Sequence, residues 1–252
     1  MTQSKSRTHL YIPDTQIKPG VPLDHLDALA NFVQATVPEV IVCGGDWWDM
    51  SCLSSYDEGT KSMHDRRYAD DVAAGNEAMD RFLDPVREFM DKVDYDPEMH
   101  FTIGNHEQRI ARFVENNPKW EEHVSYDDLN LEDWEVHDFL NILEVDGIHY
   151  SHYFTNPFSG RPYGGSIINK LNKLKFSFVQ GHIQKYEHAV DYLNNGQVVN
   201  GLTAGAFYMH DEDYKGPQGN NHFRGIIVLH GVNNGNYDPE VISIDRLLRN
   251  FG

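Results

Sequence analysis

Five short stretches of this 252-residue chain carry the oxygen and imidazole donors that bind divalent metal ions. They are Asp14 with Gln16, Asp46 with Asp49, Asn105 with His106, His152, and His182 with Gln184. None is a thiol. Carboxylate, carboxamide and imidazole together suit hard or borderline ions such as Mn²⁺, Mg²⁺, Fe²⁺ or Zn²⁺. Two carboxylates, an amide and two imidazoles could hold two such ions roughly 3.5–4 Å apart, with one carboxylate shared between them. Taken singly, each stretch has a plainer reading. Gly-Asp is often just a turn, a lone histidine is often structural, and Asn105 after Gly104 suits a left-handed turn. What sets the group apart is its order, because each member follows directly on a candidate strand.

Those strands come from short apolar runs that stop at polar, often Gly-bearing turns. His9–Ile12 precedes Asp14, Val40–Cys43 precedes Asp46, Met99–Ile103 precedes Asn105, and Phe176–Val179 precedes His182. Helices are predicted between them: Leu23–Thr36 behind Pro22, a long stretch from about Arg66 to Val93 kinked or divided by Pro85, and Gln108–Glu115. The second half reads mostly as strands. One hairpin turns at Asp146-Gly147, a second at Asn194-Asn195-Gly196, and Gly225–Leu229 and Val241–Ile244 flank an Asn/Gly-rich loop. No repeat or Pro/Ser-rich linker interrupts the chain, so one domain over 1–252 is expected, with a helical insertion at about 60–95. In open α/β sheets, sites form at the carboxyl ends of strands, which is where these donors fall.

Composition narrows the function classes. With 21 Lys+Arg against 39 Asp+Glu, the formal net charge is −18, which argues against broad, salt-driven coating of nucleic acid. A hydrophobic content of 40% with 12% aromatics belongs to a folded protein. No apolar run reaches membrane-spanning length, and Met1–Thr8 lacks a signal peptide's apolar stretch. With only Cys43 and Cys52 there is no disulfide framework. A cytoplasmic protein with no membrane partner is expected; oligomeric state is open.

The ordered motifs Asp14-Thr15-Gln16, Gly45-Asp46-Trp47-Trp48-Asp49, Gly104-Asn105-His106-Glu107, His152 and Gly181-His182-Ile183-Gln184 resemble the calcineurin-like metallophosphoesterase superfamily. The resemblance spans residues 8 to about 205, and in style it is similar to compact phage-encoded members. It implies an α/β fold, a four-layered α/β/β/α sandwich, and hydrolysis of phosphate esters by a metal-bound hydroxide. It further implies that Asp46 bridges two metals and that Asn105, His152 and His182 complete one site. Asp14 and the positions of Gln16 and Gln184 would form the other. His106 would stand by the leaving-group oxygen, oriented by Asp49. Two departures fall on one site: the family has histidine where this chain has Gln16 and Gln184. A carboxamide oxygen is a harder, weaker ligand than imidazole, so the expected cofactor is two divalent ions with Mn²⁺ favoured; occupancy by one ion is the alternative.

This chemistry gives each motif residue a task. A bound ion brings the pKa of water from 15.7 toward about 7, and an imidazole with an ordinary pKa near 6.5 can protonate a leaving alkoxide. Arg66 and Arg67, after the second motif, are candidate phosphate contacts, with ordinary surface charge the alternative. Trp47 and Trp48 could stack on a base or pack in the core. Tyr153, Phe154, Phe158 and Tyr163 could form a substrate-shaping loop or a packed one. Lys170, Lys173 and Lys175 form the best basic cluster and are expected to solvate a helix face. The expected activity is a metal-dependent phosphodiesterase, nucleases included, acting on a phosphoester substrate or nucleic acid. A protein or nucleotide phosphomonoesterase and a catalytically silent metal-binding scaffold are the alternatives.

Overall fold

The computed structural model describes residues 6–55, 59–212 and 215–252. Two sheets lie face to face. In the first, β1 (Arg7–Ile12), β2 (Val40–Cys43), β3 (Glu98–Thr102) and β4 (Glu135–His137) run parallel. Beyond β1 the sheet continues antiparallel through β10 (Gly225–Asn233) and β11 (Asn236–Ser243), giving the order β11-β10-β1-β2-β3-β4. The second sheet has the order β5-β6-β7-β9-β8. Here β6 (Ile148–Ser151), β7 (Ser177–Gln180) and β9 (Val198–Ala204) are parallel, and β5 (Leu143–Val145) and β8 (Tyr186–Tyr192) close the edges antiparallel.

Strand β2 shows why four layers form. Its four residues are all buried. Ile41 and Cys43 pack in the cluster beneath the helices, while Val40 and Val42 pack in the cluster between the sheets. A strand covered on both faces reads as an unbroken apolar run, as this one does. The crossover helices α1 (Asp24–Thr36) and α2 (Tyr68–Met90) and the C-terminal α6 (Ile244–Phe251) cover the outer face of the first sheet. Helix α4 (Ile167–Leu174) covers the second, with Ile167 and Leu171 against Phe178 and Val199. The result is the α/β/β/α sandwich. Helix α3 (Gln108–Asn116) joins the same outer cluster through buried Ile110, and α5 (Gly216–Gly219) is a four-residue turn of helix.

The expected elements form with shifted ends. Helix α2 runs continuously past Pro85, so the proline does not divide it. Asp146 and Gly147 both take positive φ, 51° and 81°, as a two-residue primed hairpin turn requires. Strand β4 has no expected counterpart: Glu-Val-His is too short and polar to register as an apolar run. Ile244, expected to end a strand, instead opens α6, which Ser243 caps through its hydroxyl. Lys170 corrects another expectation. It is 1% exposed, its ammonium lacks a hydrogen-bond partner among the described residues, and burial pushes its pKa down to about 8. It belongs to no solvated face. No helix among the described residues is long and apolar enough to cross a membrane.

Candidate metal centre

Asp14 lies two residues past β1, Asp46 three past β2, Asn105 three past β3, His152 next to β6 and His182 two past β7. Because these strands run parallel within their sheets, their carboxyl ends bring the loops to one rim. The loops pack tightly there. A Cβ on Gly104 would overlap Asp46 Oδ1, and one on Gly181 would overlap Asp14 Oδ1, so both positions need glycine. Gln16, Asp46, His182 and Gln184 all hold positive φ, between 45° and 65°. Left-handed backbone at non-glycine residues is costly and concentrates where function demands it.

One side of the rim gathers lone pairs. His152 Nδ1 donates to the Gly44 carbonyl at 2.8 Å, which turns Nε2 toward Asn105 Oδ1 at 2.9 Å and Asp46 Oδ2 at 3.3 Å. The ligand atoms of Asp46, His152 and His182 lie within 4.8 Å of one another. This is a fitting donor set for a borderline divalent ion, with the backbone bond serving as the outer contact that fixes the ring. Charge agrees. Burial pushes Asp14 up to about 6, helped by the charge on Asp46. Burial likewise pushes Glu107 up to about 7, again with Asp46 contributing. Burial works against His152, yet Asp46 prevails and raises it to about 9. Burial and His152 lower His182 to about 4. Crowded buried carboxylates that repel one another are relieved by a cation.

The other side is different. Asp14 Oδ1 accepts from the His182 backbone N–H at 2.9 Å, and Oδ2 accepts from Gln184 Nε2 at 3.2 Å. Gln184 Oε1 is taken by the Tyr208 hydroxyl at 3.0 Å and by Lys215 Nζ. Since an ammonium only donates, this fixes the amide with its nitrogen toward Asp14. Gln184 therefore does not turn its oxygen toward Asp14, as a ligand to a shared ion would. Gln16 Oε1 is buried with no hydrogen-bond partner among the described residues, so it remains available to a cation.

His106 stands between the two sides. Its Nδ1 lies 2.8 Å from both Asp49 Oδ1 and the Asp49 carbonyl, and its backbone N–H donates to Asp46 Oδ1 at 2.9 Å. Nε2 is 3.8 Å from Asp46 Oδ2 and 3.2 Å from Arg109 Nη2. Burial lowers the His106 pKa, but Asp46 and Asp49 outweigh it and hold the ring above its ordinary value. The facing cavity, about 420 Å³, is lined by Gln16, Asp46, Asn105, His106, His182 and Gln184, with Lys185, Lys215 and His222 on its wall.

The structure thus brings together every sequence-predicted site residue except Arg66 and Arg67, which do not line the cavity. Arg66 donates to the Ser51 carbonyl at 3.0 Å, and Arg67 is exposed at the start of α2. Trp47 and Trp48 are both fully buried and donate to Gly75 O and Asn76 Oδ1, so neither can stack on a base. The aromatic loop divides: Phe154 packs in the core, Tyr153 lies 4.6 Å from His182, and Phe158 is exposed. Of the acidic residues behind the net charge, Asp57, Glu58 and Asp213 lie outside the described residues, and Glu212 is not a solvated surface charge but is buried against Lys18 and His210.

Glu107, part of the third motif but given no role from sequence, accepts from the backbones of Asp46, Gly104 and Trp48 and so ties two loops together. Sequence reasoning missed Arg109, Tyr208 and Lys215. Arg109 had a signal, lying one helical turn after His106; Tyr208 and Lys215 had none.

No family model matches the chain, and no curated protein matches it. Among solved structures, it is similar to a conserved uncharacterized protein of Streptococcus pneumoniae TIGR4 described as a predicted phosphoesterase. That match has 8% identity and TM-score 0.39, over 96% of this chain and 92% of that one. It is also similar to Chaetomium thermophilum Vps29, at 10% identity and TM-score 0.44, over 94% and 97% of the two chains. Neither likeness adds to what the site's own geometry supports.

Proposed function

We propose that this protein is a divalent-metal-dependent phosphodiesterase, with nucleic acid among its candidate substrates, acting in a cytoplasm (a host's, if the phage-like style of the motifs reflects its origin). One observation carries the reading. The metal-type donors around His152 Nε2 open on the same cavity as a second imidazole, His106, that is held by Asp49 and whose pKa Asp46 and Asp49 hold above its ordinary value. Asp46, Asn105, His152 and His182 would hold one ion, and Asp14 with Gln16 would share Asp46 to hold a second. A carboxylate- and amide-rich second position favours Mn²⁺ or Mg²⁺ there. Bound ions supply Lewis acidity and a water acidic enough to react at neutral pH.

The chain's own residues do the rest. Asp49 fixes the His106 ring through Nδ1; Nε2 accepts from Arg109 Nη2 at 3.2 Å in the neutral ring, and only in the protonated ring would it carry the proton delivered to the leaving alkoxide. Arg109 donates to the Asp49 and Met50 carbonyls at 2.8 and 3.2 Å, bracing that pair. Lys185 and Lys215 line the cavity wall; released from Glu187 and from Gln184 and Tyr208, they would meet non-bridging phosphate oxygens. Those two cations also favour a second reading, a monoesterase, because a dianionic monoester needs more positive charge than a diester.

The test compares bis-p-nitrophenyl phosphate, p-nitrophenyl phosphate and single-stranded DNA across Mn²⁺, Mg²⁺, Fe²⁺ and Zn²⁺. Faster turnover of the diester is expected. Preference for the monoester would replace the first reading with the second, and tight metal binding without turnover of any substrate would leave a scaffold.

A further inference from the structure

We propose a second, separate transition-metal site of the zinc class on the open edge of the first sheet, formed by His100, Glu135 and His137. The backbone places them. Met99 and Phe101 pack beneath the helices, so His100 projects from the opposite face of β3. In the parallel register His100 pairs with Glu135 and Thr102 with His137, so β4 presents its carboxylate and imidazole, two residues apart, on the face that carries His100.

The three groups converge, the two rings joined by a single nitrogen-to-nitrogen hydrogen bond that a bound ion would replace. His100 Nδ1 lies 3.2 Å from His137 Nε2. Glu135 reaches toward both rings, 3.4 Å from the first nitrogen and 3.9 Å from the second, too far for a good hydrogen bond to the latter. Ligands about 2.0–2.1 Å from a tetrahedral zinc stand roughly 3.3 Å apart, close to the spacing seen between the two rings. Two imidazoles and one carboxylate are a zinc-type set rather than a magnesium-type one. A second observation comes from the far side of the His100 ring. His100 is 6% exposed, and its Nε2 is buried with no hydrogen-bond partner among the described residues. The Glu98 carboxylate stands 3.8 Å away. Coordination at Nδ1 would leave the proton on Nε2, aimed at Glu98, the outer-shell contact that ligating histidines ordinarily make.

Glu135 is largely exposed at the sheet edge, which leaves an entry path and an open fourth position. An ion there ties β4 to β3. The backbone bond from Ile103 N to His137 O, 2.9 Å, makes the same connection one residue before Gly104. The site therefore steadies the strand that leads into the loop of Asn105 and His106, while sharing no ligand with them.

The test uses chelator-stripped full-length protein and the variants His137→Gln and Glu135→Gln. Zn²⁺ binding is counted by calorimetry and elemental analysis, and Co²⁺ is used as a visible probe. Wild type should take up one more equivalent of Zn²⁺ than either variant, or bind its last equivalent at least tenfold more tightly. It should also show a Co²⁺ absorption band that both variants lose. Glu135→Gln alters an exposed side chain, so a folded variant is available even if His137→Gln is unstable. Asp46→Asn should keep the edge equivalent and its Co²⁺ band. Identical zinc counts, affinities and Co²⁺ spectra in wild type and Glu135→Gln would overturn the proposal. So would loss of the edge band in Asp46→Asn alone.

Discussion

Two sides of one cavity floor use the same backbone device and reach opposite ends. Both place polar residues in left-handed loops at strand ends, and both lean on Asp46. On the imidazole side, a single bond from His152 Nδ1 to a carbonyl leaves Nε2, Asp46 Oδ2 and Asn105 Oδ1 pointing at one another. On the carboxamide side, Gln184 spends its nitrogen on Asp14 and its oxygen on Tyr208 and Lys215. Imidazole offers one donor and one acceptor, so fixing one nitrogen exposes the other. A carboxamide has capacity at both ends and can be absorbed into a network. The first side is poised for an ion; the second already contains a cation, the Lys215 ammonium.

The largest break in this comparison removes what the sides share. Asp46→Asn should abolish turnover and reduce metal affinity by more than the roughly 10–100-fold typical of residues outside a ligand set. Calorimetric Mn²⁺ binding checks it, and full activity with bound metal would show the site to be misplaced. His106→Ala comes next. It should lower the turnover rate by about 10²–10⁴-fold, the range for a general acid, with metal binding kept. A substrate with a p-nitrophenolate leaving group, which needs little protonation, should lose less than one with an alkoxide. Equal losses would argue against a proton-donor role.

A finer cut separates the sides. His182→Ala should weaken metal binding strongly, whereas Gln184→Ala should change it little while raising KM, through the loosened Lys215. Restoring imidazole should work only once the network is opened: Gln184→His with Lys215→Met should gain metal equivalents that Gln184→His alone does not. Metal counts by elemental analysis decide this. If Gln184→Ala alone removes an equivalent, the carboxamide binds metal directly and the contrast between the two sides disappears.

Much of this was legible in the chain, for reasons that differ by residue. The donors sit immediately after apolar runs, and a run buried on both faces, such as Val40–Cys43, announces both a central strand and its end. Asp49 and His106, 57 positions apart, were pairable because each lies in a compact motif. The network around Lys215 was not legible. Gln184, Tyr208 and Lys215 meet through separate loops, and nothing local in a tyrosine or a lysine announces a carboxamide partner. Arg66 and Arg67 are adjacent to a motif in sequence but do not line the cavity, and Arg66 donates instead to the Ser51 carbonyl. Lys170 misled because Lys-x-x-Lys spacing reads as a polar helix face, whereas α4 rests that residue on the second sheet.

The smallest effect concerns protons and tests whether the imidazole side is a metal site at all. His152 is raised from 6.5 in the unfolded chain to about 9 in the metal-free fold, chiefly by Asp46 working against burial. A raised folded pKa means that the native state binds more protons. Its contribution to stability is therefore complete below about pH 6.5 and is lost as pH rises toward 9. The slope can reach about 1.4 kcal/mol per pH unit, the value for one proton. Urea unfolding of chelated wild type and His152→Asn, at intervals from pH 6.5 to 9, should show wild type losing its advantage with rising pH. Lys170, depressed to about 8, acts in the opposite sense in both proteins, so their difference isolates His152. An ion at Nε2 must displace that proton, so Mn²⁺ binding at pH 7.5 should release close to one proton, measured by calorimetry in buffers of different ionisation enthalpy. Saturating Mn²⁺ should flatten or reverse the wild-type slope. Binding without proton release would place the ion away from His152, and the difference between the two sides would then be one of hydrogen bonding alone.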